Sequence, residues 1–149
     1  MQNGLGFTGP PLRPLRPGFV RDWYGYVAAV TFTALNQRLP ATIQLDGSAD
    51  FELTQIACST AEATQPAIMA LLNIKDTATG YSLLSGQVPV EQIATTLTRV
   101  RTLDATHVFR SNASISLDVT NQGAATQTLY ITLYGFKHWP TQNTPAAIA

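Results

Sequence analysis

The sequence predicts an all-β fold, an antiparallel β-sandwich behind an extended N-terminal arm. Three observations carry the prediction. Apolar and polar residues alternate in short runs, turn signals recur about every ten residues, and the opening segment is too rich in proline and glycine for a helix or a sheet interior.

The arm comes first. Residues 1–20 hold four Gly and four Pro, and the repeated Leu-Arg-Pro at 12–14 and 15–17 favours polyproline II. At about 3.1 Å per residue such a segment could reach roughly 60 Å. Phe19, Trp23, Tyr24 and Tyr26 then crowd four aromatics into eight residues, an anchor for the arm's base. The domain reading is therefore an arm over residues 1–26 and a sandwich over 27–149 that includes a short C-terminal tail. An arm so poor in core-forming groups is expected to be removable, at residues 1–18, without unfolding the sandwich.

The strands follow in order. Val30, Phe32 and Ala34 alternate with threonines, a half-buried strand. Pro40 interrupts, and residues 41–45 place Ile43 and Leu45 on one face. Asp46-Gly47 predicts a hairpin into residues 51–56, and residues 59–66 form a polar connection. Ile68, Ala70, Leu72 and Ile74 stand in phase; residues 76–80 form a turn, and 81–90 an irregular or edge strand containing Pro89. Residues 91–101 have helical spacing but three threonines, which predicts a single helical turn or a loop. Ile115, Leu117 and Val119 form a strand buried on one side. A glycine-containing loop over residues 121–126 then predicts a hairpin with the strand of Leu129, Ile131 and Leu133.

Composition narrows the function classes. At 149 residues the chain makes one domain with an adequate core. Only 12% of residues are charged, against roughly a quarter in ordinary soluble domains, and the formal net charge is zero. Thr, Ser, Gln and Asn take the place of charge, which suits burial against other proteins and predicts a homo-oligomer. Charge is also uneven: residues 1–40 carry a net +3 and the remainder a net −3. No apolar run reaches 18 residues, and no basic-then-apolar signal opens the chain, so synthesis in a host cytoplasm is expected, with no membrane partner.

Candidate chemistry is sparse. Gly4, Gly6 and Gly9 match a dinucleotide pattern, but no strand precedes them and Pro10-Pro11 follows, so the arm reading prevails. Cys58 with His107 or His138 could nominally make a nucleophile and its base. Nothing supplies the third group, and Cys58 reads as core, His107 as a strand entrance and His138 as part of a surface or interface patch. Asp46, Asp50 and Glu52 are too few for calcium and read as solvated carboxylates around a turn. Asn112-Ala113-Ser114 is a chance glycosylation match. No metal, cofactor or enzymatic role is expected. Arg13, Arg16 and Arg21 with Trp23 and Tyr24 are the candidate partner-binding residues. Three arginines ahead of an acidic body are thin for nucleic acid and better suited to an acidic protein surface, where guanidinium groups bond carboxylates in pairs.

Residues 106–139, THVFRSNASISLDVTNQGAATQTLYITLYGFKHW, carry a recognisable pattern. They resemble the end of the small jelly-roll decoration (cement) proteins of tailed-bacteriophage particles. The alternating strand at residues 115–121, the polar loop and the closing strand at 133–137 match. Upstream, AVTFTALNQ and IQLDGSADFELTQIA are similar to the family's opening strands. The resemblance spans residues 27–139 and rests on hydrophobic patterning. It implies a non-enzymatic virion protein on the capsid exterior that clamps neighbouring major-capsid subunits and associates with itself. A tail, neck or baseplate adaptor shares the pattern. A carbohydrate-binding jelly roll, with Tyr130, Tyr134 and Trp139 as its platform, stands as a third alternative.

Overall fold

The structure, a computed structural model, describes residues 10–60, 68–96, 100–123 and 126–141. The glycine pattern at 4–9, most of the polar connection at 59–66, part of the 91–101 and 121–126 segments, and the tail from 142 onward lie outside these residues. Nine strands and one helical turn are seen among the described residues: β1 (Phe19–Phe32), β2 (Arg38–Gln44), β3 (Asp50–Thr60), β4 (Ala70–Asp76), β5 (Tyr81–Ser82), β6 (Val88–Pro89), α1 (Val90–Ile93), β7 (His107–Phe109), β8 (Ser114–Asn121) and β9 (Gln127–Pro140). They form two antiparallel sheets. The first has the order β1-β9-β3-β7, and the second β2-β8-β4-β5, with β6 also on β4. The fold is the all-β sandwich that the alternation predicts, and the 91–101 segment keeps a single helical turn.

Two expected hairpins are absent. β2 and β3 flank Asp46-Gly47 but lie in opposite sheets, and so do β8 and β9. Alternation requires each strand to bury one face, and a strand satisfies that equally well from either sheet of a sandwich. The longer strands in fact switch sheets at every step from β1 to β4 and from β7 to β9. Pairing is consequently distant in sequence: β1 pairs with β9 along all 14 residues, from Phe19 opposite Pro140 to Phe32 opposite Gln127. β1 also begins at Phe19, so the aromatic residues 19–26, grouped with the arm from sequence, are sheet residues.

The inward faces make one core. Phe32, Phe51 and Phe109 are fully buried beside Leu53, Leu72, Ile74, Ile115, Leu117, Leu129, Ile131 and Leu133. Ala34 is outside it, because β1 ends two residues earlier and the chain turns through Asn36 at positive φ. Pro40 sits within β2 rather than ending it. Leu45 N–H bonds Ala113 C=O, so odd-numbered residues of β2 face β8 and the missing donor of Pro40 faces the open edge.

The β3–β9 pairing shifts register between Leu53 and Gln55. Gly135 makes that shift possible: a Cβ there would lie 1.9 Å from the Glu52 carbonyl oxygen. Backbone on backbone cannot yield. Gly135→Ala is expected to cost about 3 kcal/mol or more in urea denaturation. Gly86→Ala, which meets nothing within 4 Å, should leave the midpoint unchanged.

Candidate functional site

Phe51 and Leu53 point into the core, so the alternation of β3 puts Glu52 on the outer face of the first sheet. Its side chain is nevertheless fully buried. Residues 10–18 lie over it without strand or helix, and Pro10 is buried. Glu52 Oε2 accepts the Arg13 backbone N–H at 2.6 Å and the Thr106 hydroxyl at 2.8 Å. Its Oε1 lies 3.0 Å from His138 Nε2 and 3.8 Å from the Arg21 guanidinium. One carboxylate thus joins the N-terminal segment, β1, β9 and the loop before β7. Asp50 extends the cluster, pairing with Arg16 at 3.3 Å and Arg110 at 3.8 Å and accepting the Ser111 N–H at 2.8 Å. The acidic groups read from sequence as solvated are therefore mostly buried and paired. His138, expected at a surface or interface, is buried with them.

The candidate partner-binding residues separate into two groups. Arg13, Arg16 and Arg21 surround the Glu52–Asp50 cluster, where Arg21 also donates to the Arg13 carbonyl. Arg16 is 55% exposed and stacks over Phe19 at 4.0 Å. Trp23 and Tyr24 lie further along β1. Trp23, 54% exposed, stacks on Tyr134 at 5.6 Å and meets Phe136 edge-on at 5.2 Å. Gly25 lets the Tyr134 ring lie across β1. Val27 and Tyr130 extend this surface as exposed residues, giving an outward strip of neutral, largely aromatic character along β1 and β9.

Tyr24 belongs to a different arrangement. Lys137 Nζ lies 3.3 Å from its ring centre and 5.3 Å from those of Tyr26 and Trp139, and it pairs with Asp46. Burial alone would lower the Lys137 pKa. The Asp46 hydrogen bond and the surrounding Tyr26, Asp46 and Tyr24 outweigh it, and the pKa is raised from its ordinary 10.5. Burial raises Tyr26 from 10.0.

On the other side of the Glu52 cluster, a cavity of about 650 Å³ opens between the sheets. Ile56, Ile74, Leu83 and Leu103 supply apolar walls, with Arg13 and Asp104 among the polar residues. His107 borders it, stacked on Tyr81 at 5.4 Å with Nε2 3.0 Å from the buried Asp76. Cys58 is buried, and desolvation pushes its thiol up to about 12, so it holds almost no thiolate near neutrality. Each histidine has its own carboxylate partner. Among the described residues no three His, Cys, Asp or Glu side chains are grouped so as to hold a metal ion.

Glu52, Lys137 and the His107–Asp76 pair escape sequence reasoning. A single acidic residue on an outward strand position reads as solvated; only the covering segment buries it. The period-two signal does place Lys137 in phase with Leu133 and Ile131, an inward position that a lysine occupies only with a partner.

In sequence, no protein-family model and no curated protein matches the chain. In structure it is similar to VP2 of infectious bursal disease virus, solved as a subviral particle. The two share 13% identity at a TM-score of 0.35, over 95% of this chain and 40% of that one.

Glu52→Ala is expected to lower stability by about 3–5 kcal/mol in urea titrations, because it strands buried donors. Arg16→Ala, at a more than half-exposed guanidinium whose partner Asp50 keeps Arg110 and the Ser111 N–H, should cost under about 1 kcal/mol. Deleting residues 1–18 should lower the melting temperature as well, since it uncovers Glu52, while leaving the sandwich folded. Alkaline pH supplies a separate test. Cys58, Tyr26 and Lys137 all have raised folded-state pKa values, so their stabilising contributions are complete below the ordinary values and are lost as pH rises through the raised ones. Stability should fall from about pH 9 upward. Cys58→Ala should remove the earliest part of that fall, and Asp46→Asn should weaken the part due to Lys137.

Proposed function

We propose that this chain is a non-enzymatic structural protein of a virus particle. More narrowly, it is a capsid decoration protein of a tailed bacteriophage that clamps neighbouring major-capsid subunits from the exterior. The observation that carries the reading is the outward strip on β1 and β9. Trp23, Val27 and Tyr130 are exposed there in a chain with only 12% charged residues. Such a surface loses little on desolvation and gains from apolar contact, the balance that favours protein–protein burial. The sequence resemblance at residues 27–139 supplies the class of partner. A chain that binds the assembled shell better than its separate subunits stabilises the shell by mass action.

In this reading Arg16 and Trp23 meet the capsid surface. Both are more than half exposed, and Asp50 keeps Arg110 as a second cation, so the Arg16 guanidinium can exchange Asp50 for an acidic partner. Trp23 is held rigid by Tyr134 and Phe136, so it would lose little side-chain entropy on docking.

Co-sedimentation with capsids of the parent virus stripped of this chain tests the reading. The wild-type protein should saturate the particles. Trp23→Ala should lower affinity by about 2 kcal/mol or more while costing only about 0.5–1.5 kcal/mol in stability. Absence of capsid binding by the folded wild-type chain sinks the decoration role. Binding to tail or baseplate fractions would favour the adaptor alternative, and binding to a glycan array the carbohydrate one.

A further inference from the structure

β1 is an edge strand of its sheet, and its outer backbone is open. Thr141 N–H donates to Gly18 C=O at 2.7 Å, continuing the β1–β9 register by one pair. Antiparallel residues alternate between bonding toward and away from a given neighbour. The even-numbered residues of β1 therefore bond to β9. The N–H and C=O groups of Arg21, Trp23, Gly25, Val27, Ala29 and Thr31 point the other way. The same parity holds across β9. Cys58 N–H and Ile56 C=O, opposite Ile131 and Leu133, bond to Thr95 and not to β9. Among the described residues, no hydrogen bond to the outward groups of those six β1 residues is present.

The remaining edges are blunted in the ways proteins use to prevent strand addition. β7 has three residues and β5 two. β2 carries Pro40 with its missing donor toward the open edge and Arg38 at its start. β1 is 14 residues long, and from Trp23 to Phe32 it contains neither charge nor proline. An uncapped edge of that length is a template for another strand.

We propose that β1 pairs antiparallel with β1 of a second copy of this chain across a two-fold axis, joining the two four-stranded sheets into one eight-stranded sheet. The identity of the occupant follows from how the strand fits itself. One register uses all six open residues: Arg21 faces Thr31 of the partner subunit, Trp23 faces Ala29 of the partner subunit, and Gly25 faces Val27 of the partner subunit. Large residues there meet small ones, and no charge faces its like, because Arg21 and Asp22 sit at the far end of the strand from the axis. The contact is isologous, so it closes at two copies and leaves no further edge of this kind. The pairing concerns the isolated chain and stands apart from the virion role.

Sedimentation velocity and residue-resolved amide exchange of the full chain test the pairing. The wild type should sediment as a dimer, with the Trp23, Gly25, Val27, Ala29 and Thr31 amides protected although no partner among the described residues accepts them. Val27→Pro removes an edge donor that β9 does not use, on a side chain that is 63% exposed. It should weaken dimerisation at least about tenfold and expose those amides, with the circular dichroism spectrum retained. A wild-type monomer at the highest soluble concentration overturns the pairing. So does a dimer in which the odd-numbered β1 amides exchange as freely as a loop's, or one that a folded Val27→Pro leaves intact. The exchange pattern is read on the unmodified chain, so the test survives if the proline variant fails to fold.

Discussion

The buried carboxylate of Glu52 constrains much of the molecule. Its position is forced by its neighbours: with Phe51 and Leu53 committed to the core, Glu52 must stand on the outer face. A carboxyl group shut away from water there is tolerable only if hydrogen-bonding partners surround it. The Arg13 backbone, Thr106 and His138 supply them, with the Arg21 guanidinium adding its charge at 3.8 Å, and these groups come from separated parts of the chain. Satisfying one side chain therefore fixes the path of the N-terminal segment over the sheet. It also fixes the approach of the loop before β7. The region around residue 13 is thereby made part of the folded domain and not a free tether.

Alternation of the chain between sheets gives the second constraint. Because successive long strands lie in opposite layers, the pairs within each layer come from distant residues, and β1 closes onto β9 near the two ends of the described chain. Loop-closure entropy must be met before such pairs form, which favours slow folding relative to hairpin-built sheets. Among the described residues, the same closure leaves β1 as the one long open edge of the first sheet. The outward aromatic strip and the open backbone edge thus meet on β1, and one segment exposes both side-chain and main-chain groups. The Lys137 cage turns inward instead: the rings of Tyr24, Tyr26 and Trp139 are engaged by a lysine of the same chain.

Sequence by itself determined the fold class, the existence of most strands and nearly all of the core. Ile115, Leu117 and Val119, like Leu129, Ile131 and Leu133, are buried as their alternation requires, because one wrong phase would turn every apolar side chain to water. The single turn at α1 was legible as well, from threonines that oppose a longer helix. Only the tertiary structure decided which strands pair. Two stacked sheets bury an apolar face equally well, so alternation could not reveal that β2 and β3, or β8 and β9, part company. It also decided the environments of Glu52, His138 and Arg16. Glu52 is covered by a segment some forty residues away in sequence, His138 pairs with Glu52 across 86 residues and Arg16 with Asp50 across 34, and local pattern carries no record of such distant contacts.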